Sequence, residues 1–228
     1  MSEIIKCRNP KSEKPITKAM NVSYEVGENL YLNITNKCPC DCLFCIRRND
    51  EGAYGSETLW LAHEPSLEEM KADLSKRDMT KYKEVVFCGY GEPLMRLDFV
   101  CELASYLKET YPGIVLRVDS NGLADLYNPD ETTKQSVDAA SKISGLIDKV
   151  SVSMNAPNQK LYDMVTRPAG FPAEAYSTML NFAKRCQILG INVCFTLVDV
   201  INYSDIQEAQ NIAHDYGIPL RVREYIEK

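Results

Sequence analysis

The sequence predicts an α/β fold built on a parallel sheet. Apolar strand-like segments alternate with helix-like segments six times between residue 30 and the C-terminus, a pattern typical of parallel strands joined by crossover helices. This stretch accommodates six units of about 31 residues, fewer than the eight of a complete barrel. Periodicity alone leaves a six-stranded partial barrel and an open doubly wound sheet as alternatives, and both place their reactive loops at the carboxyl ends of the strands.

The chain begins with a polar segment followed by a hairpin. We expect residues 1–22 to form an extended leader and residues 23–228 to form a single domain. Apolar and polar residues alternate on both sides of residues 27–29, which predicts a β-hairpin whose second strand is the first of the main sheet. Ser66-Leu-Glu-Glu69 has the form of a capping box and predicts a helix from residue 66 to about residue 77.

The remaining elements follow from the period of the apolar residues. A short apolar run at 84–88 predicts the second buried strand, and a stripe of apolar residues three and four apart predicts a helix over 96–110. Gly190 is expected to end the long helix before it. The other predicted strands are 114–118, 149–154, 191–198 and 219–223, and the other predicted helices are 130–147, 158–165, 172–189 and 204–216.

Composition restricts the class of protein. The first ten residues lack the apolar segment of a signal peptide, and no stretch approaches the ~20 apolar residues of a membrane span, so we expect a cytoplasmic protein without a membrane partner. Nine cysteines in such a chain argue for reduced thiols rather than a disulfide framework. The net charge of −6 gives no overall attraction to nucleic acid, although Lys37, Arg47 and Arg48 could form a local basic site.

Three cysteines follow the first main strand in a C-x₃-C-x₂-C spacing. Cys38, Cys42 and Cys45 are close enough in sequence to converge on one object, and an iron–sulfur cluster can accept ligands from few residues at separate irons. With three thiolates, one iron of a four-iron cluster keeps an open coordination position. An open position is typical of a reactive metal centre rather than a closed structural one.

Two other kinds of metal site use a fourth cysteine, Cys40. A zinc site would use it with the other three, but zinc sites usually divide their ligands into two separated pairs, and no second pair is present here. A closed electron-transfer cluster would also need Cys40. A tight loop that aims Cys38 and Cys42 inward is expected to aim Cys40 elsewhere.

The cysteine spacing, with the aromatic Phe44 before the last cysteine, resembles the signature of the radical S-adenosylmethionine (SAM) enzymes. In that family SAM chelates the open iron, and an electron from the cluster cleaves SAM to a 5′-deoxyadenosyl radical that takes a hydrogen atom from the substrate. The resemblance implies a [4Fe–4S] cluster on Cys38, Cys42 and Cys45, with SAM as the second cofactor. It extends over residues 28–226 and selects the partial (β/α)6 TIM-like barrel with an N-terminal β-hairpin extension.

The resemblance also implies where SAM binds. Residues 89–93, which end the second strand, resemble the Gly-Gly-Glu motif that receives the SAM amino group, although Tyr90 separates the two glycines. An ordinary strand-to-helix turn is the alternative for this motif, and turn or capping chemistry is the alternative for the polar residues at later strand ends. The residues expected to contact SAM are Phe44, Gly89, Tyr90, Gly91, Glu92, Ser120, Asn121, Ser153, Asn155, Arg167, Thr196 and Val198.

The loop at 46–60 is predicted to form one wall of the substrate site. It contains Arg47, Arg48, Tyr54 and Trp60, and guanidinium groups pair with carboxylate or phosphate and stack on rings. We therefore favour a small or nucleotide-like substrate, as in the small carboxy-deazaguanine synthases. The alternatives are an activating enzyme that acts on a glycine of a protein partner and, in another class, a non-catalytic iron–sulfur or zinc binding module.

At finer grain, four segments are similar to the small radical SAM proteins associated with the TatD nuclease family. They are residues 31–47, 85–93, 151–156 and 221–223. The resemblance implies an electron donor such as flavodoxin or ferredoxin. Because the chain ends at Lys228 without a cysteine-rich tail, we expect no auxiliary cluster domain.

Overall fold

The computed structural model describes residues 18–48, 56–128 and 137–225, and its centre is a seven-stranded sheet in the order β1 to β7. The first two strands form the predicted antiparallel hairpin, and every later pairing is parallel. Within the described residues the first and last strands do not pair, so the sheet is open. The strands are β1 (Ser23–Val26), β2 (Asn29–Leu32), β3 (Glu84–Phe87), β4 (Leu116–Ser120), β5 (Lys149–Ser153), β6 (Asn192–Val198) and β7 (Leu220–Arg223).

Helices connect the parallel strands, as the alternation predicts. The capping box at Ser66 is present, with reciprocal hydrogen bonds between Ser66 and Glu69. Among the described residues, no helix combines the length and the apolar character needed to cross a membrane. The helices are α1 (Leu67–Leu74), α2 (Leu97–Thr110), α3 (Ala124–Tyr127), α4 (Ala139–Ile143), α5 (Gln159–Thr166), α6 (Pro172–Ile188) and α7 (Tyr203–Tyr216), and short 3₁₀ turns span Ile46–Arg48, Met79–Lys81 and Pro93–Arg96.

The two faces of the sheet differ in polarity. Leu30, Val85 and Leu116 are register partners on one face, and all three are buried in the core against the helices. Side chains alternate along a strand, so the neighbouring residues lie on the opposite face. There the register brings Arg117 beside Lys149, and Thr196 beside Arg221. The inner face of the open sheet is therefore polar and suited to line a ligand site.

Three predicted elements differ from the structure. The first predicted helix, α1, ends at Leu74 instead of near residue 77. The fourth strand lies at Leu116–Ser120 instead of 114–118, because Ile114 belongs to a turn in which its N–H donates to the Tyr111 carbonyl at 3.1 Å. The predicted helix over 130–147 is shorter: α4 begins after Asp138, whose side chain accepts from the Ser141 N–H, and Gly145 has a positive φ of 78° after its end. Asp130, the predicted cap, lies outside the described residues.

The described part of the predicted leader, residues 18–22, packs on the domain. The Ala19 N–H donates to the Trp60 carbonyl at 2.9 Å, and its carbonyl accepts from Ala62 at 3.1 Å. Val22 is buried in the core. Residues 1–17 lie outside the described part of the chain.

Candidate active site

The cysteine loop, residues 38–45, is held in place by the C-terminal end of α5 and the segment that follows it. The Leu43 N–H donates to the Val165 carbonyl at 2.9 Å, and the Ala169 N–H donates to the Pro39 carbonyl at 2.8 Å. Arg47 adds a 2.5 Å hydrogen bond from its guanidinium to the Cys40 carbonyl. Backbone bonds to the end of α5 and a side-chain bond from Arg47 therefore fix a loop that has no regular structure of its own.

The thiols of this loop are electrostatically unequal. Hydrogen bonding to Cys40 lowers the pKa of Cys38 to about 7, with Arg47 also lowering it and burial acting in the opposite direction. Burial raises the pKa of Cys45 to about 12, the charge of Cys42 adds to the increase, and Arg47 opposes it. Hydrogen bonds to Cys38 and Cys42 raise the pKa of Cys40 far above its usual value. Cys40 is thus a protonated donor beside two other cysteines.

Cys40 does not turn away from its neighbours, contrary to the expectation from loop geometry. Its side chain is buried, and it borders the same cavity as Cys38, Cys42 and Cys45. The reason is the backbone bridge between Cys40 and Pro168, which holds this residue against the segment after α5.

The donor set fits an iron–sulfur cluster. Within the described ranges, no three His, Cys, Asp or Glu side chains surround a position for a single metal ion. A four-iron cluster takes each thiolate at a different iron, so its ligands need not meet at one point. Cys38, Cys42 and Cys45 border one cavity from successive positions of a fixed loop, which is what such a cluster requires.

The two glycines of the motif after β3 have a packing role. A Cβ atom at Gly89 would clash with the Asn33 side chain, and one at Gly91 would clash with the Thr35 carbonyl. Gly91 and Glu92 donate backbone hydrogen bonds to the carbonyls of Thr35 and Lys37, at 3.0 and 2.8 Å. The glycines thus let the end of β3 lie directly against the chain that enters the cysteine loop.

The Glu92 carboxylate is buried at the wall of the cavity and tied to two backbone groups. It accepts from the Leu94 N–H at 3.1 Å and from the Asn121 N–H at 2.7 Å. Burial raises the pKa of Glu92 to about 7, the negative charge of Cys38 adds to the increase, and the hydrogen bonds oppose it. The carboxyl group therefore caps a 3₁₀ turn and borders the cavity, where a neighbouring cation would favour its ionised form.

The polar residues at the later strand ends serve in turns and also border the cavity. The Ser120 hydroxyl accepts from Gly122, and the Asn121 side chain accepts from Leu123, at 3.0 and 2.9 Å. Asn155 is buried with a positive φ of 56°, a conformation that asparagine tolerates better than most residues. Turn chemistry and cavity lining are therefore compatible at these positions.

One cavity of about 480 Å³ collects most of the predicted site residues, and this volume lies in the range of small-molecule sites. It opens at the carboxyl ends of the parallel strands. The predicted residues that line it are Cys38, Cys42, Phe44, Cys45, Gly89, Gly91, Glu92, Ser120, Asn121, Ser153, Asn155, Thr196 and Val198.

Several predicted site residues within the described part of the chain do not line this cavity. Tyr90 packs in a separate apolar cluster, with the ring of Trp60 edge-on at 5.3 Å. Arg47 turns into the cysteine loop, as described above, and Arg167 lies 4.0 Å from Asp41 with its side chain half exposed. The backbone of Arg48 ends a 3₁₀ turn, and Tyr54 lies outside the described residues.

The structure places further residues in the cavity wall that the sequence did not predict. Tyr162 on α5 is fully buried at the cavity. Its hydroxyl lies near that of Thr166, but Thr166 donates to the Tyr162 carbonyl at 2.8 Å, and within the described residues the Tyr162 hydroxyl makes no hydrogen bond of good geometry. Arg221 and Arg223 border the cavity from β7. The alternation of apolar and charged residues along residues 220–223 was a usable signal for the arginines. Tyr162 gave none, because it belongs to the apolar stripe of its helix.

Comparison with known proteins identifies the family. A sequence model of the family described as "Radical SAM superfamily" matches residues 32–216, which is most of the chain. This chain belongs to the radical SAM superfamily. It is therefore an enzyme whose cofactors are a [4Fe–4S] cluster and SAM, and members of the superfamily typically draw electrons from a reductant. Membership does not support the hypothesis of a non-catalytic binding module.

Two individual proteins are similar to this radical SAM enzyme. "Probable GTP 3′,8-cyclase" of Methanocaldococcus jannaschii is 28% identical over 201 residues, covering 87% of this chain and 59% of that protein. The chain thus spans about three fifths of that relative's length. The solved structure of native anSMEcpe with bound AdoMet has a TM-score of 0.58 at 14% identity, covering 86% of this chain and 51% of that chain. This likeness supports the predicted partial-barrel fold.

Proposed function

We propose that this radical SAM enzyme holds its cluster on Cys38, Cys42 and Cys45, binds SAM across the strand ends, and acts on a small or nucleotide-like substrate. The observation that carries the proposal is the shared cavity. The three cysteines border it together with polar residues from the ends of β3 to β6. A site that only stored a metal would have no need for such residues on four successive strands.

Bound cluster and SAM supply a reductively formed 5′-deoxyadenosyl radical that removes a hydrogen atom from the substrate. The protein binds and orients SAM and the substrate, and it excludes water from them. The Glu92 carboxylate is a suitable acceptor for the SAM ammonium group, because each oxygen retains lone pairs beyond its backbone hydrogen bonds. Ser153 and Thr196 are register partners whose hydroxyls can both donate to and accept from ribose or methionine groups.

Two similarities to other proteins bear on the proposed nucleotide-like substrate and on the subfamily of this enzyme. The name of the M. jannaschii protein indicates that it acts on GTP, and a nucleotide-like substrate for this chain is consistent with that relationship. We place the protein with the small TatD-associated radical SAM proteins, on the segments quoted from its sequence. As a cytoplasmic enzyme with a single domain at 23–228, it would receive electrons from a flavodoxin or a ferredoxin.

The cluster assignment is tested by anaerobic reconstitution. We expect about four irons per chain in the wild type. Cys42→Ala should lose them, and Cys101→Ala, a substitution on α2 away from the cavity, should retain them. Equal iron contents in the two variants, or stoichiometric zinc in the wild type, would contradict the assignment.

The reaction and substrate class are tested on the reduced, cluster-loaded protein. We expect slow formation of 5′-deoxyadenosine from SAM, accelerated by one member of a panel of nucleotides and small anionic metabolites. Absence of any 5′-deoxyadenosine from the fully loaded protein would overturn the proposed reaction. Acceleration by a protein partner that carries the glycine to be converted to a radical, with no response to any small compound, would instead assign this chain to the activating enzymes.

A further inference from the structure

The last strand of the sheet places two arginines at the cavity. Arg221 pairs in register with Thr196, and Arg223 pairs with Val198, so both arginines lie on the same side of the sheet as these cavity residues. Leu220, on the alternate face, packs against the core. Residues two apart on a strand are about 6.6 Å apart along its axis. Two guanidinium groups at this spacing can bind neighbouring oxyanions of one ligand.

The inner face of the sheet near the arginines carries several charged groups. Arg117 lies 3.2 Å from both Glu84 and Asp119, and Lys149 lies 2.8 Å from Glu84. These two cations and two anions form a neutral ladder on the inner face of the sheet. Arg221 and Arg223 also act on Asp119, because their charges oppose the increase that burial causes in its pKa, and Glu224 lies at the same part of the cavity. Arg117, Lys149 and these two arginines are four cations against three anions, so this wall of the cavity has a net positive charge.

The arginines also lie on an edge strand of the open sheet. Strands β1 and β7 are the two edges of the sheet, and the cavity is lined both by Tyr24 of β1 and by the β7 arginines. Tyr24 and Tyr31 form a pair of rings with centroids 5.4 Å apart, and both border the cavity. The same cavity therefore reaches both edge strands, which give it aromatic rings on one side and guanidinium groups on the other.

We propose that Arg221 and Arg223 bind an oxyanionic group, phosphate or carboxylate, of the substrate at the β7 side of the cavity. This inference rests on the proposed function and adds to it the site and charge of the substrate. Guanidinium groups bind either oxyanion through paired hydrogen bonds. The alternative is that the arginines only protect an edge strand from pairing with other chains.

The test measures ligand binding and needs no turnover, so its failure is distinct from failure of the proposed reaction. Inorganic pyrophosphate and malonate, as phosphate and carboxylate probes, are titrated by calorimetry into cluster-loaded, SAM-saturated protein. We expect the wild type to bind one or both, and Arg221→Gln/Arg223→Gln to weaken that binding at least about tenfold. The probe that binds tells which oxyanion the site accepts.

The control variant is Lys184→Gln/Arg185→Gln, which makes the same charge change on α6 outside the cavity. It should bind the probes and SAM as the wild type does. Three results would overturn the inference. They are no binding of either probe to the wild type at a Kd below about 1 mM, equal weakening in both double variants, and a loss of SAM affinity in the β7 variant as large as its loss of probe affinity. The last would assign the arginines to the SAM carboxylate.

Discussion

The carboxylate of Glu92 accepts a hydrogen bond of 2.7 Å from the backbone N–H of Asn121, and this bond joins the end of β3 to the end of β4. The same carboxylate caps the turn that starts at Pro93. A side chain expected to meet SAM is therefore also part of the framework of the site. The two roles can be separated by measuring the protein without its cofactors.

Replacement of Glu92 by glutamine should change how the stability of the cluster-free protein depends on pH. Burial raises the pKa of Glu92 from 4.5 to about 7 in the folded state. The folded state then binds the proton more tightly, so the stabilisation is fully present below about pH 4.5 and is lost as the pH rises through 7. We expect urea denaturation to show a decrease of roughly 3 kcal/mol across this window, and Glu92→Gln to remove it.

The control is Glu102→Gln, a substitution at an exposed position of α2. It should leave the pH dependence as in the wild type. The decisive quantity is the difference in unfolding free energy between the wild type and each variant at each pH. A difference for Glu92→Gln that stays constant from pH 4.5 to 7 would show that the carboxyl does not titrate in this window.

Substitution of Gly91 by alanine should disturb the cysteine loop. The added Cβ would meet the carbonyls of Thr35 and Lys37, which are backbone atoms that lead directly into that loop. We expect a loss of about 1–3 kcal/mol in unfolding free energy, because inserted atoms in a packed region force the backbone to shift. We also expect less iron per chain after reconstitution.

Gly145→Ala is the control that separates backbone strain from the steric clash expected at Gly91. Gly145 has a positive φ of 78°, but a methyl group added there would meet no atoms within 4 Å, and the residue lies between α4 and the amino end of β5. The substitution should cost about 1–2 kcal/mol through backbone strain alone, with full iron content. Full iron and unchanged stability in Gly91→Ala would contradict the packing role of Gly91.

Arg47 is expected to stabilise the cysteine loop that holds the cluster, in addition to any contact with the substrate. Its guanidinium donates to the Cys40 carbonyl at 2.5 Å, so Arg47→Ala should loosen the cysteine loop. We expect iron to be released to a chelator severalfold faster than in the wild type. Arg167→Ala is the comparison, since its 4.0 Å ion pair with Asp41 is half exposed and such pairs contribute little.

If Arg47→Ala releases iron at the wild-type rate but loses substrate-stimulated SAM cleavage, the hypothesis of a substrate wall is favoured instead. Arg167→Ala has its own expected result. If Arg167 contacts the SAM carboxylate, as the resemblance implies, the affinity for SAM should fall while iron release is unchanged. Equilibrium binding of SAM to the cluster-loaded variant measures this.

The sequence predicted those parts of the site that depend on local pattern. The strand ends and the cysteine loop follow from periodicity and spacing, so Ser153 and Thr196 could be placed at one edge of the sheet from the sequence alone. The direction of a loop side chain depends instead on tertiary partners. Arg47 turns inward because the Cys40 carbonyl is within reach, and Trp60 packs on Tyr90 because a second apolar cluster lies there. Neither partner is visible in the order of residues.

The hydroxyl of Tyr162 provides a last test of the cavity. It is buried and makes no hydrogen bond of good geometry among the residues that the structure describes, because the nearby Thr166 hydroxyl donates to the Tyr162 carbonyl instead. The hydroxyl of the adjacent Tyr176, in contrast, donates to the Pro157 carbonyl at 2.7 Å. A buried polar group without a partner is destabilising, and one with a partner contributes about 1 kcal/mol. In the cluster-free protein, we therefore expect Tyr162→Phe to raise the unfolding free energy by about 1 kcal/mol and Tyr176→Phe to lower it by a similar amount.

The effect of Tyr162→Phe should change from favourable to unfavourable when the cluster and SAM occupy the cavity. Tyr162 borders the cavity that we assign to the cluster and SAM, so a bound group can take the hydrogen bond that the protein leaves unmade. Tyr162→Phe should then weaken SAM binding to the cluster-loaded protein, while Tyr176→Phe should not. If Tyr162→Phe instead destabilises the cluster-free protein as much as Tyr176→Phe does, its hydroxyl already has a partner, and this residue is part of the core rather than of the site.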